Sequence, residues 1–220
     1  MNKESRQITT SLPSITTLLL VYGLSISSLL IALYGSWLDN RPISDFTRDI
    51  AAVADMPPYI GFLSNVGILL WCAAGTIALV TAALMNRTQA HVLPARFFTS
   101  LGVLTSMLTL DDLFEFHEWA FPKFLGIHEK MIILIYGILL LYILIRYRSV
   151  YLETSYFLLY SALFCLALSV LIDRIPDNVI PYHHLFEDGF KLIGIANWFA
   201  FTLQAAFYYI SIVTNTPKST

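Results

Sequence analysis

Six apolar stretches, each about long enough to cross a lipid bilayer, constrain the fold of this 220-residue chain more than any other feature. A transmembrane helix needs roughly 20 predominantly apolar residues to cross a ~30 Å hydrocarbon core. Stretches of that kind run over about 15–37, 59–85, 97–120, 128–146, 154–172 and 184–213. Inside hydrocarbon every backbone polar group must be paired within the protein, and a helix does this within one segment. The sequence therefore predicts an all-α polytopic membrane protein: one integral-membrane domain, a bundle of about six transmembrane helices.

Composition agrees. The chain is 57% hydrophobic and 13% charged, with a mean hydropathy of +0.68, too high for an ordinary soluble domain. There is no basic tail or stripe, so nucleic acid has no electrostatic footprint here, and the expected surroundings are membrane lipids. Pro57-Pro58 fits the start of the second span better than its interior. Phe207-Tyr208-Tyr209 suits an interfacial aromatic belt near the end of the sixth. Lys3 and Arg6 ahead of the first apolar run mimic a signal peptide, but no small-x-small cleavage pattern follows, so the run reads as a span that stays attached. Cys72 and Cys165 fall at different depths of different spans and read as small buried side chains, not as a disulfide. In the first loop, Ile43, Phe46, Ile50 and Val53 recur at helical spacing after Pro42, which predicts a short amphipathic helix on the membrane surface.

Lys and Arg counts orient the chain weakly. With the N-terminus inside, seven fall on the inner side and six on the outer. Three of the outer ones, Lys130, Arg174 and Lys191, stand among acids as expected partners, and setting them aside favours a cytoplasmic N-terminus. The Asn86-Arg87-Thr88 sequon then lies inside and is expected to be unmodified. The acids are far less evenly divided. Thirteen of fifteen, together with His117, His128, His183 and His184, fall on the side opposite the N-terminus.

The densest part of this polar end is Asp111-Asp112-Leu113-Phe114-Glu115-Phe116-His117-Glu118. Only 14 residues separate Arg96 from Asp111, about 21 Å of helix, so both aspartates are expected below the membrane surface. On a continuous helix Asp111, Glu115 and Glu118 share a face, with Asp112 beside it and His117 pointing elsewhere. Stacked like charges need a cation, a proton or basic partners. The sixth span opens with the complement: His184, Glu187, Asp188 and Lys191, spaced i, i+3, i+4 and i+7. Gly194 and Trp198 continue that side inward. Glu129 opens the fourth span with Tyr136 on its face, and Asp173-Arg174 closes the fifth. At these helix ends eight carboxylates face three bases, Lys130, Arg174 and Lys191.

That imbalance, with imidazole nearby, points to bound metal. Intramembrane ionisable groups pair, bind ions or line wet cavities. Carboxylates with one or two imidazoles suit a divalent transition metal (zinc, iron or manganese), and the number of carboxylates leaves room for two ions. The expected ligands are Glu115, His184, Glu187, Asp188 and Glu129, with His117 and His183 interfacial. Asp111, Asp112 or Glu118 would serve as general base, with Lys191 steadying developing negative charge. Only the reversed His184-x-x-Glu187 occurs, not the paired Glu-x-x-His of di-iron bundles. His-Glu-x-x-His, a Gly-rich phosphate loop and Gly-x-Ser-x-Gly are also absent from the sequence. The expected function is a membrane metalloprotein acting enzymatically on a small or lipidic substrate, by hydrolysis or oxidation. A cation- or proton-coupled transporter and a non-catalytic subunit held by a buried polar network are the alternatives.

Overall fold

A computed structural model describes residues 15–87, 92–176, 178–179 and 181–215. Lys3, Arg6, Lys218 and the Thr88 of the sequon lie outside them. The described residues are helical with no strand, and the chain divides into two compact units, Met1–Ile60 and Gly61–Thr220.

The first unit contains α1 (Ile15–Leu38) and two short helices, α2 (Ser44–Thr47) and α3 (Ile50–Val53). The amphipathic helix expected over the loop is therefore split. Arg48 and Asp49 are extended (ψ 161° and 141°), and the extended Asp49 heads α3. Phe46 nevertheless turns back, and its ring lies against Gly35, where a Cβ would come within 2.7 Å of it.

The second unit is built from α4 (Phe62–Asn86), α5 (Val92–Phe114), α6 (Phe121–Leu125), α7 (Glu129–Arg146), α8 (Arg148–Tyr151), α9 (Tyr156–Asp173) and α10 (His183–Asn215). Helix α4 packs on α5 and α10, and α10 also packs on α9. Helices α1, α4, α5, α9 and α10 are long and apolar enough to cross a membrane. Helix α7 makes a sixth when joined to the segment Phe116–Leu125, from which it turns by 120°. The 33 residues of α10 reach about 50 Å, more than a hydrocarbon core requires.

Small residues set the packing distances. Ala74, Ala78 and Ala82 recur every fourth residue along α4 and are all but fully buried, so neighbouring backbones approach closely. A Cβ on Gly102 of α5 would lie 3.1 Å from the backbone nitrogen of Leu79, and one on Gly194 of α10 would lie 3.1 Å from that of Leu166. Bulky rings fill the remaining space. Trp71 and Trp198 meet edge to face at 5.5 Å, and Phe97, Phe98, Phe201 and Tyr209 continue the core. Trp198 Nε1 donates to Thr105 Oγ1 (3.1 Å), so the deepest indole is satisfied within the bundle. Away from the acidic end, Tyr209 Oη lies 3.0 Å from the Val150 carbonyl and 3.1 Å from Glu153 Oε2, tying α10 to the link after α7.

The third span departs from expectation. Instead of running to 120 as one helix, α5 stops at Phe114. Glu115 adopts the left-handed conformation (φ 50°, ψ 42°), and Phe116–Ala120 forms a single π-helical turn. A continued helix would have stacked Asp111, Glu115 and Glu118 on one face. The break turns Glu115 out to solvent, so that three-carboxylate face does not exist.

The close approaches yield a stability prediction. Gly102→Val and Gly194→Val force Leu79 and Leu166 away from positions where backbone limits the retreat, and each should destabilise the bundle by about 1–3 kcal/mol. Gly137→Ala, on a helix surface with nothing within 4 Å of the added Cβ, should be neutral or mildly stabilising. Denaturant unfolding in detergent micelles reads all three. Equal effects at 102, 194 and 137 would contradict this packing.

Candidate functional site

The C-terminal ends of α5 and α9 and the N-terminal ends of α7 and α10 bring most acids of the second unit together, in four groups. The first two lie side by side on α5. Asp111 is buried (5% exposed) and has a donor on each oxygen. His117 Nδ1 donates to Oδ2, and Tyr136 of α7 donates to Oδ1 at 3.2 Å. Nε2 of the same imidazole lies 3.4 Å from Glu118 Oε1. The sequence-based expectation that His117 points elsewhere is thus corrected. On a straight helix position 117 sits about 240° around the axis from 111. The left-handed Glu115 and the π turn fold it back. A left-handed non-glycine residue costs roughly 1–2 kcal/mol, which the two hydrogen bonds to Asp111 help offset.

The next residue, Asp112, points to α10. Its Oδ1 accepts from Lys191 Nζ, and its Oδ2 is buried with no hydrogen-bond partner in the protein. A cavity of about 10 Å³ adjoins the pair, lined by Ser64, Gly67, Asp188 and Leu192 among others. That is close to the least volume that holds one water, and a water there would satisfy the free carboxylate oxygen. Lys191 thus neutralises Asp112 and lines the same cavity as Asp188, its neighbour one turn away on α10.

The third group is the Arg174 link. Its Nη2 lies 3.1 Å from Glu129 Oε1, and its Nε lies 3.4 Å from Asp173 Oδ2. Glu129, expected as a ligand, is instead held in an ion pair joining α7 to the end of α9.

The fourth group lies at the start of α10. One ligand atom each from His183, His184 and Glu187 falls within 4.8 Å of the others. His184 Nδ1 lies 3.6 Å and His183 Nδ1 3.9 Å from Glu187 Oε2. The two imidazoles differ in setting, with side chains 4% exposed for His183 and 74% for His184. His183 Nε2 donates to the Ile172 carbonyl of α9 at 2.8 Å. A carbonyl only accepts, so the proton of a neutral ring is on Nε2, and the lone pair is on Nδ1, the nitrogen facing Glu187. This is the outer contact by which proteins set the tautomer of a metal-ligating histidine.

Of the expected ligands, His184 and Glu187 come together. Glu115 is exposed at the helix break, Asp188 lines the Asp112 cavity, and Glu129 pairs with Arg174, so none of these three joins the cluster. His183, read from sequence as interfacial, takes their place. Its i, i+4 spacing to Glu187 was visible, but its partner Ile172 is an ordinary apolar residue whose carbonyl has no sequence signature. Among the expected bases, Asp111, Asp112 and Glu118 lie with His117 and Lys191, not with the histidine cluster.

The chain is thus an all-helical protein with membrane-length apolar helices and a His/Glu cluster at one end of its larger unit. Residues 14–205 match the family model described as Domain of unknown function (DUF8692), and the chain belongs to that family. No curated protein and no solved structure matches it.

The Asp112–Lys191 pair can be tested by a double-mutant cycle. Lys191→Met leaves a buried carboxylate without its cation and should cost about 1–3 kcal/mol of unfolding free energy. Asp112→Leu combined with Lys191→Met should recover most of that loss, with an interaction energy above about 0.5 kcal/mol. Strict additivity would show that the pair does not join α5 to α10.

Proposed function

We propose that this chain is a multi-pass membrane metalloprotein of about six spans that binds a divalent transition metal through His183, His184 and Glu187 at the membrane face opposite a cytoplasmic N-terminus. The observation carrying the reading is the cluster itself: three ligand atoms within 4.8 Å, one of them on an imidazole whose other nitrogen donates to a backbone carbonyl. Two imidazoles and one carboxylate suit zinc, iron or manganese better than calcium or magnesium, which prefer oxygen. Three protein ligands leave a coordination position open, as in catalytic rather than structural zinc sites.

The function that fits best is therefore an enzyme acting on a small or lipidic substrate that reaches the cluster from the bilayer surface. The exposed His184 leaves one side of the cluster open. A metal held there would polarise a substrate oxygen or activate a water. Lys191 lies one turn beyond Glu187 on the same helix, and with Asp112 and Asp188 it supplies the neighbouring charge.

A non-catalytic role is favoured by a different observation. The polar contacts Lys191–Asp112, Arg174–Glu129 and Tyr136–Asp111 each join two helices, as a network serving only assembly would.

Elemental analysis of the purified full-length protein separates the two. The metalloprotein reading expects near-stoichiometric zinc, iron or manganese, with affinity falling at least about tenfold in Glu187→Ala and in His183→Ala. Affinity should be unchanged in Glu115→Ala, which is exposed and outside the cluster. A protein that takes up none of the three metals and whose unfolding is unaffected by chelator would overturn the reading in favour of a structural network.

A further inference from the structure

The metal reading leaves the group around the α5 break unexplained. An ordinary surface histidine has no buried carboxylate behind it. Here His117 is largely sheltered (19% side-chain exposure), and it stands between two carboxylates of opposite setting. Asp111, on its Nδ1 side, has a side chain 6% exposed; Glu118, on its Nε2 side, has one 62% exposed. Tyr136 of α7 holds the second oxygen of Asp111, which fixes the carboxylate that orients the ring. The charged group acting on the ring from α10 is Lys191, whose Nζ is held by Asp112. The exposed Glu118 therefore stands 3.4 Å from one ring nitrogen, and the other ring nitrogen is bonded to a buried acid.

We propose that Glu118, His117 and Asp111 form a proton-exchange port at the break between α5 and the π turn, whose ligand is the proton. The Nδ1–H bond to Asp111 stays intact throughout. A proton leaves a Glu118 carboxyl, that O–H bond breaking as an N–H bond forms at His117 Nε2. The resulting imidazolium is balanced by the Asp111 carboxylate, and the return step restores the proton to Glu118 and then to water. The port needs one tautomer of the neutral ring, with Nδ1 protonated and Nε2 carrying the lone pair. Carboxylate-oriented imidazoles act as acid–base groups by this same fixing of tautomer and ring orientation. The π-helical turn is also in keeping, since such turns occur frequently at functional sites.

The test uses full-length protein in detergent micelles, with nitrogen-15 in the histidine rings and chelator present throughout, so that loss of a metal at His183 and His184 has no bearing on it. His117→Gln identifies the ring signals. The port requires the neutral ring of His117 to carry its proton on Nδ1, and Asp111→Asn to abolish that preference. A bare Nδ1 in the wild type, or an unchanged tautomer in Asp111→Asn, overturns the proposal. Acylation by diethyl pyrocarbonate, mapped by mass spectrometry, reads the Nε2 lone pair separately. Relative to the exposed His128 in the same molecule, His117 should lose reactivity by about tenfold in Asp111→Asn. Equal relative rates in the two proteins would likewise overturn it. Should Asp111→Asn fail to fold, the wild-type protein still decides: a ring proton on Nδ1 is required, and a proton on Nε2 with a bare Nδ1 overturns the port.

Discussion

A carboxylate buried in an apolar bundle has lost water and must find a donor, a cation or a proton. The larger unit of this chain meets that demand by pairing across helices. Asp111 draws on His117 and Tyr136, Asp112 on Lys191, and Glu129 on Arg174. All but the His117 contact connect segments far apart in sequence, so satisfying the acids also fixes which helix ends meet. The α10 backbone is placed by Lys191 as well as by the Trp198 indole two turns further in. Breaking such pairs exposes the cost of burial, whereas replacing both partners need not.

The same demand explains why α5 ends where it does. Adjacent aspartates on a helix point about 100° apart, so Asp111 and Asp112 serve two different neighbours. Another turn of α-helix would have set Glu115 over Asp111 with no base between them. The left-handed Glu115 removes that stack and, with the π turn, returns His117 to Asp111. One local distortion thus moves one charge outward and brings one donor inward.

These facts mark the limit of what was legible in the sequence. Apart from the third, which they place about five to six residues late at each end, the apolar runs locate the long helices to within about three residues, because hydrophobic length at a bilayer's scale is a property of composition alone. The gathering of acids and imidazoles at the connected ends of α5, α7, α9 and α10 was equally plain, since it follows from alternating the direction of successive helices. The face Asp111-Glu115-Glu118 was not real, because its derivation assumed an unbroken helix and glutamate carries no signal for the left-handed region. His117 was misplaced for the same reason. His183 was undervalued because its tautomer depends on the Ile172 carbonyl, and main-chain groups have no identity in a sequence. Residues whose role depends on their own helix were readable, and those whose role depends on a neighbour's backbone were not.

What remains is how a polar end coexists with so tight an apolar body. The inward stripe of α10 supplies the transition: His183, Glu187, Lys191, Ile195 and Trp198 follow one another at helical spacing, passing from imidazole to carboxylate to ammonium to hydrocarbon. Below Lys191, Gly194 lets the α9 backbone come close. The His/Glu cluster at the top of this stripe rests on a closely packed helix while its outermost member, His184, is exposed. The same helix face that closes the bundle therefore also carries the His/Glu cluster, one turn from Lys191, whose ammonium is paired with Asp112 of α5.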